Sequence, residues 1–270
     1  MSLRKEAPLG VFDSGVGGLT VVKEILRQLP HESVFYFGDT AHVPYGSRSP
    51  EELQGFAFKI TEYLVAQGCK MIIIACNTST SLAYELLKEK FPVPMIGVIE
   101  PAVDKALSMT QNNCIGVLAT EATINSQSYQ TMLRSKRPRV EVYPQACPAF
   151  VPLIEKGIVD GPELEKVAEE YLTPLLEKRI DTLILGCTHY PFLEPVLRQI
   201  TGSGVVQIDP AAETVRRAKK MLQELALLAE AGNEAPVHRF FASHDAPGFG
   251  KAGSVFLSRD LGKVKEIRLD

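Results

Sequence analysis

Two cysteines in this chain stand in the same setting. Met71-Ile72-Ile73-Ile74-Ala75 runs into Cys76, followed by Asn77, Thr78 and Ser79; later, Thr182-Leu183-Ile184-Leu185-Gly186 runs into Cys187, followed by Thr188, His189 and Tyr190. An apolar, β-branched run reads as a buried parallel strand. Asn, Thr and Ser just beyond it are helix-start residues, and the crevice between such a strand end and a helix start is where open α/β sheets hold ligands. A helix N-terminus favours an anion, so the Cys76 thiol is expected to ionise more readily than the reference pKa of roughly 8.5. One cysteine at a strand end is usually a small buried hydrophobe; the repetition lifts Cys76 and Cys187 above that reading. Cys69, Cys114 and Cys147 lack the setting and read as structural. Two similar acid–base groups on opposite faces of one carbon suit proton removal from one side and return on the other. General acid–base catalysis contributes about 10²–10⁴-fold, so donors that hold the developing enediolate must supply much of the rest. Ser14, Asn77, Thr78 and Thr188 are candidate donors, with acids at Asp13 and Asp39.

The elements that must position these groups alternate strand and helix, which predicts an α/β fold with doubly wound, mainly parallel sheets. Leu9 to Asp13 reads as a strand, the glycines Gly15, Gly17 and Gly18 as a turn, and Leu19 to Leu29 as a helix. That glycine pattern is neither GxGxxG nor a phosphate loop with Lys; it reads as a nest of backbone donors suited to a small carboxylate. Ser33 to Asp39 is a second strand, and Thr40 to Gly46 a loop by its Pro44 and Gly46. Ser49-Pro50-Glu51-Glu52 starts a helix that Gly68 should stop. A strand near Pro92–Val98 leads to a crossing point at Ile99. The second half starts afresh at Cys114–Thr120, Thr120 standing near the place Asp13 holds, and reaches Cys187 at a spacing similar to that from Val11 to Cys76, as an internal duplication would. Glu163–Glu177 and a stretch ending at Thr201 read as helices, Val205–Pro210 as a strand, and Ala211–Ala231 as one long helix. A strand at Val237–Ala242 and a last helix within Gly248–Leu261 are expected to return to the first half. The expected domains are therefore 1–98 with 208–270, and 99–207.

Bulk properties narrow the function further. The chain has 270 residues, 45% hydrophobic and 23% charged, with a net charge of −3, so no overall basic field argues for nucleic acid. The run Arg134-Ser135-Lys136-Arg137-Pro138-Arg139 reads as a solvated loop. Met1 to Pro8 lacks the apolar core of a signal peptide, and no run approaches the roughly 20 apolar residues of a membrane span; a cytoplasmic protein is expected, with no membrane partner. Five cysteines without a CxxC pair suggest neither a disulfide framework nor a zinc site.

Four segments together resemble glutamate racemase: Asp13-Ser14-Gly15-Val16-Gly17-Gly18-Leu19; Gly38-Asp39-Thr40-Ala41 with Pro44-Tyr45-Gly46; Ala75-Cys76-Asn77-Thr78; and Leu185-Gly186-Cys187-Thr188-His189-Tyr190-Pro191. Related aspartate racemases use a similar cysteine pair, but these segments fit the glutamate pattern better. The resemblance implies a cofactor-independent enzyme that interconverts L- and D-glutamate and supplies D-glutamate for peptidoglycan. It implies two pseudo-symmetric α/β domains with the active site in the cleft between them, and a homodimer. By the same resemblance Cys76 and Cys187 are the acid–base thiols, with Asp13 and His189 assisting proton transfer at each and Glu155 an acid near the site. Ser14, Asp39, Pro44, Tyr45, Gly46, Asn77, Thr78 and Thr188 match substrate-binding positions, and no metal is implied. Asp13 and Asp39 could also simply cap the next helix or turn, and His31, His42, His238 and His244 read as structural. Two rivals remain: a Cys187–His189 hydrolase, which leaves Cys76 without a role, and a two-lobed binding module without catalysis.

Overall fold

A computed structural model describes residues 4–232 and 235–269; of the Met1–Pro8 segment, the first three residues lie outside that range. In chain order the first part comprises β1 (Leu9–Asp13), α1 (Leu19–Gln28), β2 (Val34–Gly38), α2 (Pro50–Ala66), β3 (Met71–Ile74), α3 (Asn77–Lys90) and β4 (Met95–Gly97). The middle part comprises α4 (Ile99–Met109), β5 (Cys114–Ala119), α5 (Glu121–Asn125), α6 (Ser128–Lys136), β6 (Glu141–Ala146), α7 (Phe150–Glu155), α8 (Pro162–Glu177), β7 (Thr182–Gly186), α9 (Glu194–Thr201) and β8 (Val206–Ile208). The chain ends with α10 (Pro210–Glu224), β9 (His238–Ala242), α11 (Ala246–Leu257) and β10 (Val264–Glu266).

The chain divides into two compact units, one ending at Val98 and resuming at Ala211, the other Ile99–Pro210. A boundary between residues 207 and 208 would cut β8. Ile208 instead stands opposite Ile184 of β7 and is buried in the second unit's core, so the strand stays whole and the return lies beyond it. The first unit holds a six-stranded sheet in the order β10-β9-β2-β1-β3-β4 and the second a four-stranded sheet in the order β6-β5-β7-β8. Every pairing among the described residues is parallel. Within each sheet the unit's first strand lies between its second and third, and its fourth follows the third at the edge. The two units therefore repeat one winding, and in each of them a cysteine follows the third strand.

Alternation along the strands explains why both faces are covered. Val11 and Ile73 enter a core with Val22 and Ile25 of α1 and Val215 and Leu222 of α10. Phe12, Ile72 and Ile74 enter the opposite core with Ala57 and Ile60 of α2 and Ala83 and Leu87 of α3. Local sequence sets several boundaries. At α2, Ser49 and Glu52 form a reciprocal capping box, with Pro50 at the first helical position, and Gly68 adopts φ +84° just past the end.

Three expectations change, and one strand is unexpected. The helix expected over Ala211–Ala231 ends at Glu224: Ala226 turns to φ +56° and the Leu227 amide closes on the Leu222 carbonyl at 2.8 Å, the geometry of a helix C-cap. Leu227 is buried and its carbonyl accepts Lys70 Nζ at 2.9 Å, so the tail folds back onto the first unit. The basic run expected as a loop begins on a helix, since α6 carries Arg134 and Lys136. The unexpected strand, β10, is three residues long, with Val264 half-buried and Lys265 and Glu266 exposed, too short for an apolar alternation to show. Cys187 does not open an α-helix: a 3₁₀ turn over Tyr190–Leu193 comes between it and α9. No helix among the described residues is long and apolar enough to cross a membrane.

Candidate active site

The first unit gathers its predicted residues at the C-terminal ends of β1, β2 and β3. Asp13 ends β1 fully buried. Its Oδ2 accepts the amides of Gly15 at 3.3 Å and Gly18 at 2.9 Å, so it does anchor the turn ahead of α1. The turn has room for no side chain at Gly18: a Cβ there would come within 2.5 Å of the Asp13 Cβ and 2.7 Å of the Tyr36 hydroxyl. That hydroxyl donates to the Gly15 carbonyl at 2.6 Å.

Cys76 follows β3 and is itself the N-cap of α3, with its sulfur accepting the Ser79 amide at 3.4 Å. Asn77, Thr78 and Ser79 thus lie inside the first helical turn rather than before it, all buried. The expected easy ionisation is reversed. Burial, and then the Asp13 carboxylate, push the Cys76 thiol up to about 12, against which the donors on Ser79 and the Ser14 amide act only in part. A thiol only 5% exposed loses more by desolvation than one helix terminus returns.

Asp39, just past β2, is the hub of a hydrogen-bonded network. It accepts the Tyr45 hydroxyl at 2.6 Å on Oδ2 and the Ser243 hydroxyl at 2.8 Å on Oδ1, and His42 Nδ1 lies 2.8 and 2.9 Å from the two oxygens. Tyr45 opens a 3₁₀ turn with Pro44 as its cap and Gly46 as its second residue. Its ring is buried in a cluster with Leu53 and Cys76, so the loop chosen for its Pro-Tyr-Gly sequence does reach the thiol. The His42 ring stacks on Phe56 at 3.8 Å.

The second unit builds its own cluster. Cys187 follows β7, where Gly186 is required by the approach of the neighbouring strand: a Cβ would meet the Leu118 carbonyl oxygen at 2.7 Å. His189 Nδ1 stands 3.8 Å from the Cys187 sulfur, and its Nε2 lies 3.8 Å from Oε1 of Glu155 at the end of α7. Cys187, Thr188 and His189 are buried, whereas the Glu155 side chain is 41% exposed. Tyr190 donates to the Cys147 carbonyl at 3.3 Å and meets Phe150 edge-on at 5.2 Å, which pins the stretch after the thiol. Chemically, the first unit offers a thiol beside a carboxylate, and the second a thiol beside an imidazole backed by a carboxylate.

Sequence reasoning misses one residue here. Ser243 lies 204 positions from Asp39 and no local pattern marks it. His42, which reads as structural from sequence, stands three residues from Asp39 in the loop after β2 and contacts its carboxylate.

Residues 9–218 match the model of the Asp/Glu/Hydantoin racemase family. The chain belongs to that family. It is accordingly an isomerase of the racemase class. It is 45% identical over 266 residues to a glutamate racemase of Desulforudis audaxviator, covering 97% of each chain. Among solved structures it resembles a glutamate racemase isoform of Bacillus anthracis, with a TM-score of 0.93, 38% identity and coverage of 99% and 98% of the two chains. It also resembles the glutamate racemase of Francisella tularensis in complex with D-glutamate, with a TM-score of 0.92, 39% identity and coverage of 98% and 99%.

Proposed function

We propose that the protein is a glutamate racemase that needs no cofactor and works by two thiols, Cys76 and Cys187, one on each side of the substrate α-carbon. One observation carries this reading: the same winding, repeated in both units, ends its third strand in a buried cysteine with an acid–base neighbour. The relatives' names and the D-glutamate bound to the Francisella tularensis enzyme support the choice of substrate.

In this reading one thiolate removes the α-proton while the opposite thiol donates one, and the roles exchange in the reverse direction. Asp13 takes up the Cys76 proton when Cys76 is the base, and His189 does so for Cys187. The 3.8 Å contact between the Cys187 sulfur and His189 Nδ1 is long and is expected to tighten when substrate binds. The Ser14 and Asn77–Thr78 stretch in the first unit and Thr188 in the second hold the substrate carboxylates and the developing enediolate, with the Pro44-Tyr45-Gly46 loop closing one wall. The product D-glutamate goes to peptidoglycan synthesis in the cytoplasm, and the working form is a homodimer.

Purified protein given L-glutamate or L-aspartate, without pyridoxal phosphate, should cancel the optical rotation of L-glutamate alone. In deuterium oxide the α-position should gain deuterium with no bond to nitrogen or oxygen cleaved. Release of ammonia or of a hydrolysed amide would favour a Cys–His hydrolase instead, and binding without loss of rotation a binding module.

A further inference from the structure

The C-terminal segment returns to the first unit far from both cysteines in sequence, yet one of its side chains enters the hydrogen bonds around Asp39. Ser243 follows β9, which lies beside β2 in the sheet, and its amide donates to the Gly38 carbonyl at 3.1 Å. Its hydroxyl accepts the Ala41 amide at 2.8 Å and donates to Asp39 Oδ1 at 2.8 Å. Next to it the His244 amide donates to the Thr40 hydroxyl at 3.0 Å. The loop that carries Tyr45 is thereby tied at its root to the returning segment.

An ionised carboxylate offers about four acceptor sites. Those of Asp39 face Tyr45, Ser243 and His42, all of them side chains of this protein. Tyr45 in turn packs beside Cys76 and Leu53. Burial and the Asp39 charge hold the Tyr45 phenol well above its ordinary pKa, so it remains a proton donor to that carboxylate at any working pH. Hydrogen bonds to a charged acceptor are roughly twice as strong as neutral ones, which suits Asp39 to hold a ring in place.

We infer that Ser243, acting through Asp39, is a positioning residue that sets the Tyr45 wall of the Cys76 half-site, and that Asp39 serves Tyr45 rather than the substrate itself. The inference rests on the glutamate racemase reading. Ser243 touches no reacting atom, so its removal loosens substrate binding and leaves proton transfer nearly intact.

The test is steady-state racemisation of L- and D-glutamate by wild type, Ser243→Ala, Ser243→Thr, Tyr45→Phe and the double variant Ser243→Ala with Tyr45→Phe, with the Kd for D-glutamate measured by calorimetry. Ser243→Ala should raise KM and Kd about tenfold, the equivalent of about 1.4 kcal/mol, with kcat within about twofold. Ser243→Thr, which keeps a hydroxyl, should restore most of the loss. Tyr45→Phe should raise KM alike, and the double variant should do no worse than the poorer single one, because both act on one contact. Tyr45→Phe also keeps the inference testable if Ser243→Ala fails to fold. An unmoved KM in either single variant, a loss confined to kcat, or additive effects in the double variant would overturn it while leaving wild-type activity in place. Wild-type protein that racemises no glutamate overturns the underlying reading, and this inference with it.

Discussion

The two cysteines follow equivalent strands in two sheets wound alike, yet their surroundings differ in kind. Cys76 caps the 14-residue helix α3 and faces the buried carboxylate of Asp13. Cys187 enters a 3₁₀ turn and faces the imidazole of His189, with the half-exposed Glu155 beyond. One thiol is set beside a buried carboxylate whose charge raises its pKa, the other beside an imidazole. The two sheets keep the position of the cysteine while the chemistry of its neighbour differs. For a reaction whose two directions are mirror images, this means that the two half-reactions need not be equally difficult.

The sharpest way to break the comparison is to remove each thiol. Cys76→Ala and Cys187→Ala should each cut racemisation in both directions by at least about 10³-fold, within the range that acid–base groups supply, as followed by polarimetry. Near-normal turnover in either variant would mean that the pair does not act as a pair. Each single variant keeps one base, so each should still eliminate a β-leaving group from one enantiomer of a suitably substituted glutamate. The two variants should choose opposite enantiomers, and a shared preference would place both thiols on one face.

The neighbours come next. Racemisation has an equilibrium constant of one, so Asp13→Asn and His189→Gln must each lower kcat/KM equally for L- and D-glutamate; a fall of about 10–100-fold is expected, a part of the acid–base contribution. The asymmetry between the halves should show in solvent deuterium exchange, where each variant slows exchange mainly into one enantiomer. Indistinguishable exchange patterns would erase the distinction between the half-sites.

Thiol titration sharpens the electrostatic side. With Cys76 pushed up to about 12 by burial and Asp13, its alkylation by iodoacetamide, read by mass spectrometry, should still be accelerating above pH 9, and Asp13→Asn should move the curve to lower pH. The folded state binds this proton more tightly than the unfolded chain, whose thiols titrate near roughly 8.5. The stability it contributes is therefore complete below that pH and is lost as pH rises toward 12. Cys76→Ser should accordingly lose less Tm between pH 8.5 and 10.5 than wild type. The smallest effect belongs to Glu155→Gln: at 41% side-chain exposure and 3.8 Å from His189, it should change kcat by no more than about threefold, as weak exposed pairs do.

Much of this was legible in the chain because it is encoded locally. Ser49, Pro50 and Glu52 write the start of α2 and Gly68 its stop; the β-branched run at Met71–Ile74 needs no partner to read as a buried strand. Cys76 and Cys187 could be singled out because the setting occurs twice, and their motifs led to the family that residues 9–218 match. Asp39 and Tyr45 could be chosen as well, but not the reason they belong together. The end of α10 escaped because Ala226 and Leu227 carry no stop signal; the turn is made by burial of Leu227 and by Lys70 on its carbonyl. Ser243 escaped because a hydrogen bond across 204 positions leaves no trace in local pattern.

The acidity of Cys76 draws the line between the two sources of information. The sequence by itself determined which atom sits at the strand end, what caps lie beyond it, and hence that a thiol stands at a helix N-terminus. Those are short-range matters of propensity and spacing. Whether that thiol ionises easily was decided by the tertiary structure alone, because desolvation and the facing Asp13 charge depend on what folds over the site from elsewhere in the chain. In this protein those long-range terms outweigh the helix terminus and reverse the expectation drawn from it.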